Sequence, residues 1–406
     1  MTELKWALAL SALCLVSSGP MSASGAERYS GPGVTATTIT IGQSVPYSGP
    51  ASAFGIYGRV MSAYFKMISA EGGINGRTVK LISLDNGYSP PRAIEQTRKM
   101  VEELGILAEV GTVGTPPNAA TQKYLNDKGV PQLFSSAGGI RFNDPKHYPW
   151  TVPFYPGFDM EGSVFAKYIL KVKPDAKIAV LYENDSYGKD YLAGLKRGLG
   201  ADAAKSIVAA ASYELSDPTI DSQMITLTSS GADTLLELAT PKFAAQAIRK
   251  VGDLGWKPLQ FVGSPGSSIN GVLKPAGFEN AVGLLTSQFA KQPGDPAWKN
   301  DKEMIAYLAF MHRWAPNEDA GDFVGLSGYI NAEGVTLVLR RCGNDLTRKN
   351  LLTQATTIKN ARVAMLLPGI ELHNSPSDYE LYHKLWLARF DGTGWKLIGE
   401  PVNGAD

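Results

Sequence analysis

The sequence predicts an α/β protein of two lobes, each built on a parallel-rich sheet flanked by helices. Three observations carry that expectation. From Thr38 the chain alternates short β-branched or apolar runs with helical patterns, and such alternation implies βαβ units and parallel pairing. The stretch 142–159, FNDPKHYPWTVPFYPGFD, breaks the rhythm with four prolines and six aromatics, after which the same alternation restarts. The chain is also 406 residues long, more than one hydrophobic core organises.

In order, TITIGQSV (38–45) is a β-branched strand, and the segment from Phe54 has helical spacing in Tyr57, Val60, Met61, Tyr64, Met67 and Ile68. GGING (72–76) is a stop, with glycine available for a left-handed cap. TVKLISLD (78–85) is a strand, 90–104 a helix opened by two prolines, and ILAEVGTV (106–113) a strand. Gly114-Thr115-Pro116-Pro117 then opens a helix. Proline presets φ at the first helical position, and the positive helix end, beside a threonine hydroxyl, attracts anions. PQLFSS (131–136) closes the first series. Beyond the break near Thr151 come helices at 159–174, 187–200, 219–231 and 241–255, with strands at 177–185, 205–214, 233–240 and 259–264. From about Val282 the pattern changes to an extended connector (283–291), helices at 303–316, 327–343 and 348–358, an irregular stretch at 366–378, and a hairpin at 384–399 turning at Asp391-Gly392. The hairpin is expected to extend the edge of the second sheet. No internal sequence repeat relates the two units.

The N-terminus stands apart. Lys5, an apolar run from Trp6 to Val16, a break at Gly19-Pro20 and small residues through Ala26 form the layout of a signal peptide, with Ser24 and Ala26 suited to the −3 and −1 sites. The run is short for a membrane span, and Leu13 stands where a small residue precedes a lipidated cysteine. Residues 1–26 are therefore expected to be removed on export to the periplasm, taking Cys14 with them. Cys342 is then the one remaining cysteine, and no internal disulfide is expected. With 44% hydrophobic and 19% charged residues and a formal net charge of +1, the composition is that of an ordinary globular protein. It has no basic patch interleaved with aromatics, so nucleic acid is not an expected partner.

Motifs for chemistry are absent. There is no G-x-S-x-G, no G-x-x-x-x-G-K-[ST] and no H-E-x-x-H, and His147, His312, His373 and His383 lack metal-ligand spacing. No cofactor, metal or enzymatic activity is expected. Small polar residues instead gather at predicted strand ends: Ser48-Gly49, Gly114-Thr115 and Ser135 through Gly139. Open parallel sheets bind ligands beyond the carboxyl ends of their strands, and hydroxyls and amides there hold a carboxylate without a cation. An ordinary βα turn explains any one of them; three in one lobe point to recognition.

Four stretches, 68–101, 129–138, 166–199 and 244–264, closely resemble the leucine/isoleucine/valine-binding proteins, the substrate-binding subunits of ABC importers; GGINGR and the YG after YEND are strong marks. The resemblance covers nearly the whole chain beyond residue 26, in order. It implies a type I periplasmic binding protein fold with a three-strand hinge, a monomer, and permease subunits of the inner membrane as partners. The expected limits are a 27–37 extension, 38–150 plus 290–366 for the first lobe, and 151–289 plus 367–406 for the second. By the same resemblance the ligand's carboxylate is held by Thr115, Ser136, Ala137 and Gly138, with Phe54 and Tyr187 supplying aromatic contacts.

The sequence departs from the amino-acid binders of that family at two second-lobe positions. Pro265 stands where they carry the acid that pairs the ligand's ammonium, and Thr240 or Pro241 where they carry a tyrosine. Tyr88 and Gly114 occupy the positions of a first-lobe disulfide found in some members. A buried, unpaired ammonium is costly, so the expected ligand is an aromatic or other apolar monocarboxylate, as in relatives sharing the GYSPP and ATPKFAAQAIRK segments. Phe54, Tyr88, Phe154, Tyr155 and Tyr187 are candidates to line an apolar, partly aromatic pocket. Asp85, Asp185 or Glu237 would each restore ammonium binding if placed in the cleft, which keeps a branched-chain amino acid or amide as the alternative. A sensory domain needs a following membrane span, and an amidase needs a nucleophile–base pair; neither is visible.

Overall fold

Two sheets organise the chain. The computed structural model describes Tyr29 and residues 31–404; the leader, its cleavage site near Ala26 and Cys14 lie outside these residues. The first sheet contains β1 (Thr38–Val45), β2 (Thr78–Asp85), β3 (Glu109–Val110), β4 (Gln132–Ser135) and β5 (Thr151–Pro153), in the order β2-β1-β3-β4-β5. Every pairing is parallel, β1 and β2 running in register from Thr38↔Thr78 to Val45↔Asp85. The second sheet contains β6 (Ile178–Glu183), β7 (Ile207–Tyr213), β8 (Thr234–Leu238), β9 (Leu259–Val262), β10 (Leu285–Gln288), β11 (Lys384–Phe390) and β12 (Trp395–Asn403), in the order β12-β11-β10-β9-β8-β6-β7. It is parallel except at the β10–β11–β12 edge, where the expected hairpin adds two antiparallel strands.

The longer helices are α1 (Gly55–Ala70), α2 (Pro90–Arg98), α3 (Thr115–Asp127), α4 (Phe158–Val172), α5 (Ser186–Leu199), α6 (Asp221–Ser229), α7 (Pro241–Asp253), α8 (Lys302–Trp314), α9 (Phe323–Arg341) and α10 (Arg348–Ala355). One buried cluster joins the first sheet to α1, α8, α9 and α10. Two more lie on the opposite faces of the second sheet, as a parallel sheet covered on both sides requires. α1 and α9 come into backbone contact: a Cβ on Gly328 would lie 2.4 Å from the Tyr57 carbonyl oxygen, so only glycine fits there.

The chain passes between the sheets three times: at 154–157 after β5, beyond Gln288 at the end of β10, and at 382–384 before β11. Each crossing contributes an aromatic ring to one junction. Phe154 and Phe289 both meet Tyr382, with ring centroids 5.8 and 5.1 Å away. Leu367 to Tyr382, assigned above to the second lobe, contribute their apolar side chains to the first cluster, and Ala290 bridges to Leu366 there.

Candidate functional site

The cleft between the sheets is lined from the carboxyl ends of strands on both sides. From the first lobe, Phe54 follows β1 on a short turn, and Tyr88 follows β2 in the left-handed region (φ 61°). A bulky side chain at positive φ is strained, and such residues gather at functional sites. Gly114 (φ 101°) follows β3 and leads into Thr115, the first residue of α3; Ser136 follows β4 and bridges to Val113. From the second lobe come Phe158 and Tyr187 in the first turns of α4 and α5, Thr240 before α7, and Pro265 after β9. Phe323, Val324 and Ser327 at the start of α9 close one side. The empty space between the lobes is about 530 Å³, counting the part open to solvent.

Of the eight residues expected to bind ligand, Phe54, Thr115, Ser136, Tyr187, Thr240 and Pro265 meet in this cleft. Ala137 and Gly138 do not line it. Ala137 is buried in the lobe, and Gly138 lies under the first crossing, its carbonyl accepting from the Phe158 amide at 2.7 Å. Tyr88 and Tyr155 join the lining, whereas Phe154 lies behind it in the aromatic junction. Tyr88 and Gly114 are adjacent: a Cβ on Gly114 would stand 2.6 Å from the Tyr88 ring. Nothing local in the sequence marks Tyr57, Phe158, Phe323, Val324 or Ser327 as lining residues. Tyr57 reads as one more core position of an amphipathic helix, and the α9 residues are remote in the chain.

The two walls differ in hydrogen bonding. On the second lobe the hydroxyls are occupied. Tyr187 donates to the Ala239 carbonyl (3.1 Å), Thr240 to the Glu183 carboxyl (2.9 Å), and the Tyr155 and Ser264 hydroxyls pair at 3.0 Å. On the first lobe the Thr115 hydroxyl makes no hydrogen bond among the described residues, and the Tyr57 and Ser136 hydroxyls lie side by side without a well-formed bond to one another. The Thr115 amide adds a donor of the kind that opens a helix without an intrahelical acceptor. The Ser136 amide is spent on the Thr112 carbonyl (2.9 Å). A site of free donors therefore faces an apolar, aromatic wall.

No residue lining the cleft carries a charge. Asp85 accepts from Ser48 and pairs with Arg92 away from the cleft; burial opposes its ionisation, but hydrogen bonds from Ser48, Gly87 and Arg92 prevail and hold it at about 2. Glu237 is buried within the second sheet on Gln260, and Asp185 caps α5 through the Gly188 amide. Glu183 lies behind Thr240, its pKa raised by burial and by neighbouring Asp185. Behind Pro265, Glu161 accepts from the Ser264 amide, the Ser264 hydroxyl and Tyr191, each at 2.7 Å. Burial outweighs these three donors and pushes its pKa up to about 7.

The lobes meet directly around the cleft. The Ile140 amide donates to Asp190 on α5 (3.0 Å), and Ser268 after β9 donates to Asp322 before α9 (2.9 Å). A small-molecule site enclosed between two parallel-rich lobes with a three-segment hinge defines a two-lobe ligand-binding protein. A periplasmic binding protein family model matches residues 38–394, and the chain belongs to that family. It is 25% identical over 252 residues to Leu/Ile/Val-binding protein homolog 7 of Brucella suis, a match covering 59% of this chain and 62% of that relative. Two solved structures share the fold. A branched chain amino acid ABC transporter protein from Thermus thermophilus with bound valine has a TM-score of 0.81 and 16% identity, over 91% of this chain and 97% of that one. A solute binding protein of an ABC transporter from Rhodopseudomonas palustris, in complex with 3,4-dihydroxy benzoic acid, has a TM-score of 0.75 and 15% identity, over 91% and 98%.

Thr115→Val tests the donor wall. The threonine methyl already faces Gly139, so valine keeps the shape and removes the free hydroxyl. Affinity for a carboxylate ligand is expected to fall roughly tenfold, about 1–3 kcal/mol, with ligand-free melting unchanged. Calorimetric titration of both proteins measures it, and equal affinities would remove Thr115 from the site.

Proposed function

We propose that this protein is the periplasmic ligand-capturing subunit of an ABC importer, delivering an aromatic or other apolar monocarboxylate to permease subunits in the inner membrane. One observation carries the ligand class: free hydroxyl donors on the first lobe face an aromatic wall, in a cleft lined by no charged side chain. Neutral donors and a helix N-terminus hold a carboxylate. An α-ammonium brought into the same closed cleft would lose its water without gaining a carboxylate partner. Phe54 stacks near Tyr88 at 6.5 Å, and Phe158 meets Tyr187 edge-on at 4.9 Å, so both lobes present rings to a flat apolar body. Closure follows from the ligand's greater affinity for the state in which both walls touch it.

Benzoate, 4-hydroxybenzoate or cinnamate is expected to bind at least about tenfold more tightly than leucine, isoleucine or valine, a gap of about 1.4 kcal/mol. Calorimetry on protein refolded free of ligand decides it. Tight leucine binding with no heat from the aromatic acids would instead favour the branched-chain amino acid reading.

A further inference from the structure

Behind Ser136 lies a smaller chamber bounded by Phe154, Phe289, Ile330 and Asn331. Tyr57, Ser136, Tyr155 and Ser327 line both spaces, so the two adjoin at these side chains. The free room inside is that of about one water-sized group.

Two polar atoms at this chamber are buried without a partner: the Tyr57 hydroxyl and Asn331 Oδ1. Both residues are almost wholly inaccessible, at 2% and 1%. The Tyr57 hydroxyl lies close beside the Ser136 and Asn331 side chains, but neither makes a hydrogen bond of good geometry to it. Asn331 is oriented by its amide nitrogen, which donates to the Phe134 carbonyl at 2.8 Å, and this leaves Oδ1 as the end without a partner. Ser327 does not serve Asn331 Oδ1, because its hydroxyl proton is donated to the Phe323 carbonyl at 2.9 Å, and it makes no bond to Tyr57 either. Buried polar groups are normally paired, and each exception calls for a reason.

A free donor beside a free acceptor asks for a group that both accepts and donates. A carboxylate only accepts, so it would meet Asn331 Oδ1 unfavourably. A hydroxyl fits both and fits the room. We propose that the chamber is a subsite for one hydroxyl substituent of the ligand, with Tyr57 donating to it and Asn331 accepting from it, and that this subsite selects hydroxylated aromatic acids over their unsubstituted parents. This inference rests on the monocarboxylate reading above.

The test compares wild type and Tyr57→Phe by calorimetry with benzoate against 3- and 4-hydroxybenzoate, and cinnamate against 4-hydroxycinnamate. Wild type is expected to favour at least one hydroxylated acid over its parent by roughly tenfold or more. In Tyr57→Phe the ratio of the two affinities is expected to shrink to about threefold or less, whatever loss the parent and the hydroxylated acid share. Ser136→Ala, which leaves Tyr57 and Asn331 in place, is expected to keep the preference while weakening all the acids together. A wild type that binds parent and hydroxylated acids alike would mean that fixed water fills the chamber, and this overturns the subsite. So does a preference that survives Tyr57→Phe. If no aromatic acid binds while leucine does, the monocarboxylate reading itself falls and takes the subsite with it.

Discussion

Raising the pH from 5 to 8.5 is expected to destabilise the ligand-free protein by about 3 kcal/mol or more. Glu161 and Glu237 are fully buried with raised pKa values, and the part-exposed Glu380 is raised as well. Burial pushes Glu161 to about 7, Glu237 to about 8 and Glu380 to about 8. Their partners only partly offset this: Gln260 reaches one oxygen of Glu237 and leaves the other unpaired, and Glu380 receives the Gly157 amide at 3.2 Å. A carboxyl whose folded pKa lies above its unfolded value binds its proton more tightly in the native state. Its contribution is complete below the unfolded pKa near 4.5 and disappears as pH rises through 7 to 8. For Glu161 alone the shift corresponds to about 3 kcal/mol. Asp85 works the other way, being held low, but it is ionised throughout this window and does not change the slope. Urea unfolding at the two pH values measures the difference, and Glu161→Gln is expected to flatten it in part. Equal or greater stability at pH 8.5 would mean that these carboxyls are ionised and well solvated in the fold.

Much of this architecture was legible because its signals are local. Strand ends, proline-opened helices and the glycine turn at 72–76 each read correctly within a few residues, and Asp391-Gly392 marked the hairpin that completes the second sheet. Thr115 and Ser136 stand among the small polar residues at strand ends, and the family resemblance, not the strand-end pattern alone, singles them out from Ser48 and Ser135. What stayed hidden depends on contacts between distant segments. Tyr57 has the helical spacing of its core neighbours, and only the approach of α9 shows that its hydroxyl ends at a cavity rather than in a satisfied bond. Phe323 and Val324 enter the cleft through a crossing that no periodicity announces. Leu367 to Tyr382 carry no repeating pattern, so nothing local tells which lobe their apolar residues cover.

Gly138 shows the same limit, and substituting it is expected to have a large effect. Small residues after β4 suit an anion, and glycine there reads as an exposed backbone donor. In the structure its freedom serves close approach. A Cβ built on Gly138 would lie 2.1 Å from the Pro156 carbonyl oxygen and about 3 Å from the Phe158 ring, at 3.0 and 3.1 Å. The obstacle is backbone, so it cannot swing aside as a flexible side chain would. The Gly138 carbonyl also accepts the Phe158 amide at 2.7 Å, which ties the turn to the first interlobe crossing. Any side chain must push this turn away from 156–158 and carry Phe158 with it. Phe158 packs between Tyr187, 4.9 Å away, and Tyr191, 4.8 Å away, so the displacement reaches the aromatic wall of the cleft. Gly138→Val is therefore expected to cost about 3 kcal/mol of stability, at the upper end for overpacking, and to weaken ligand binding at least tenfold or so through the moved ring. Gly138→Ala should do the same to a smaller degree, because its single methyl meets the same carbonyl. Chemical denaturation and ligand titration on both variants read the two effects separately. Loss of affinity with full stability would return Gly138 to the role of a ligand contact, and no change in either would show that the turn and the crossing separate without cost.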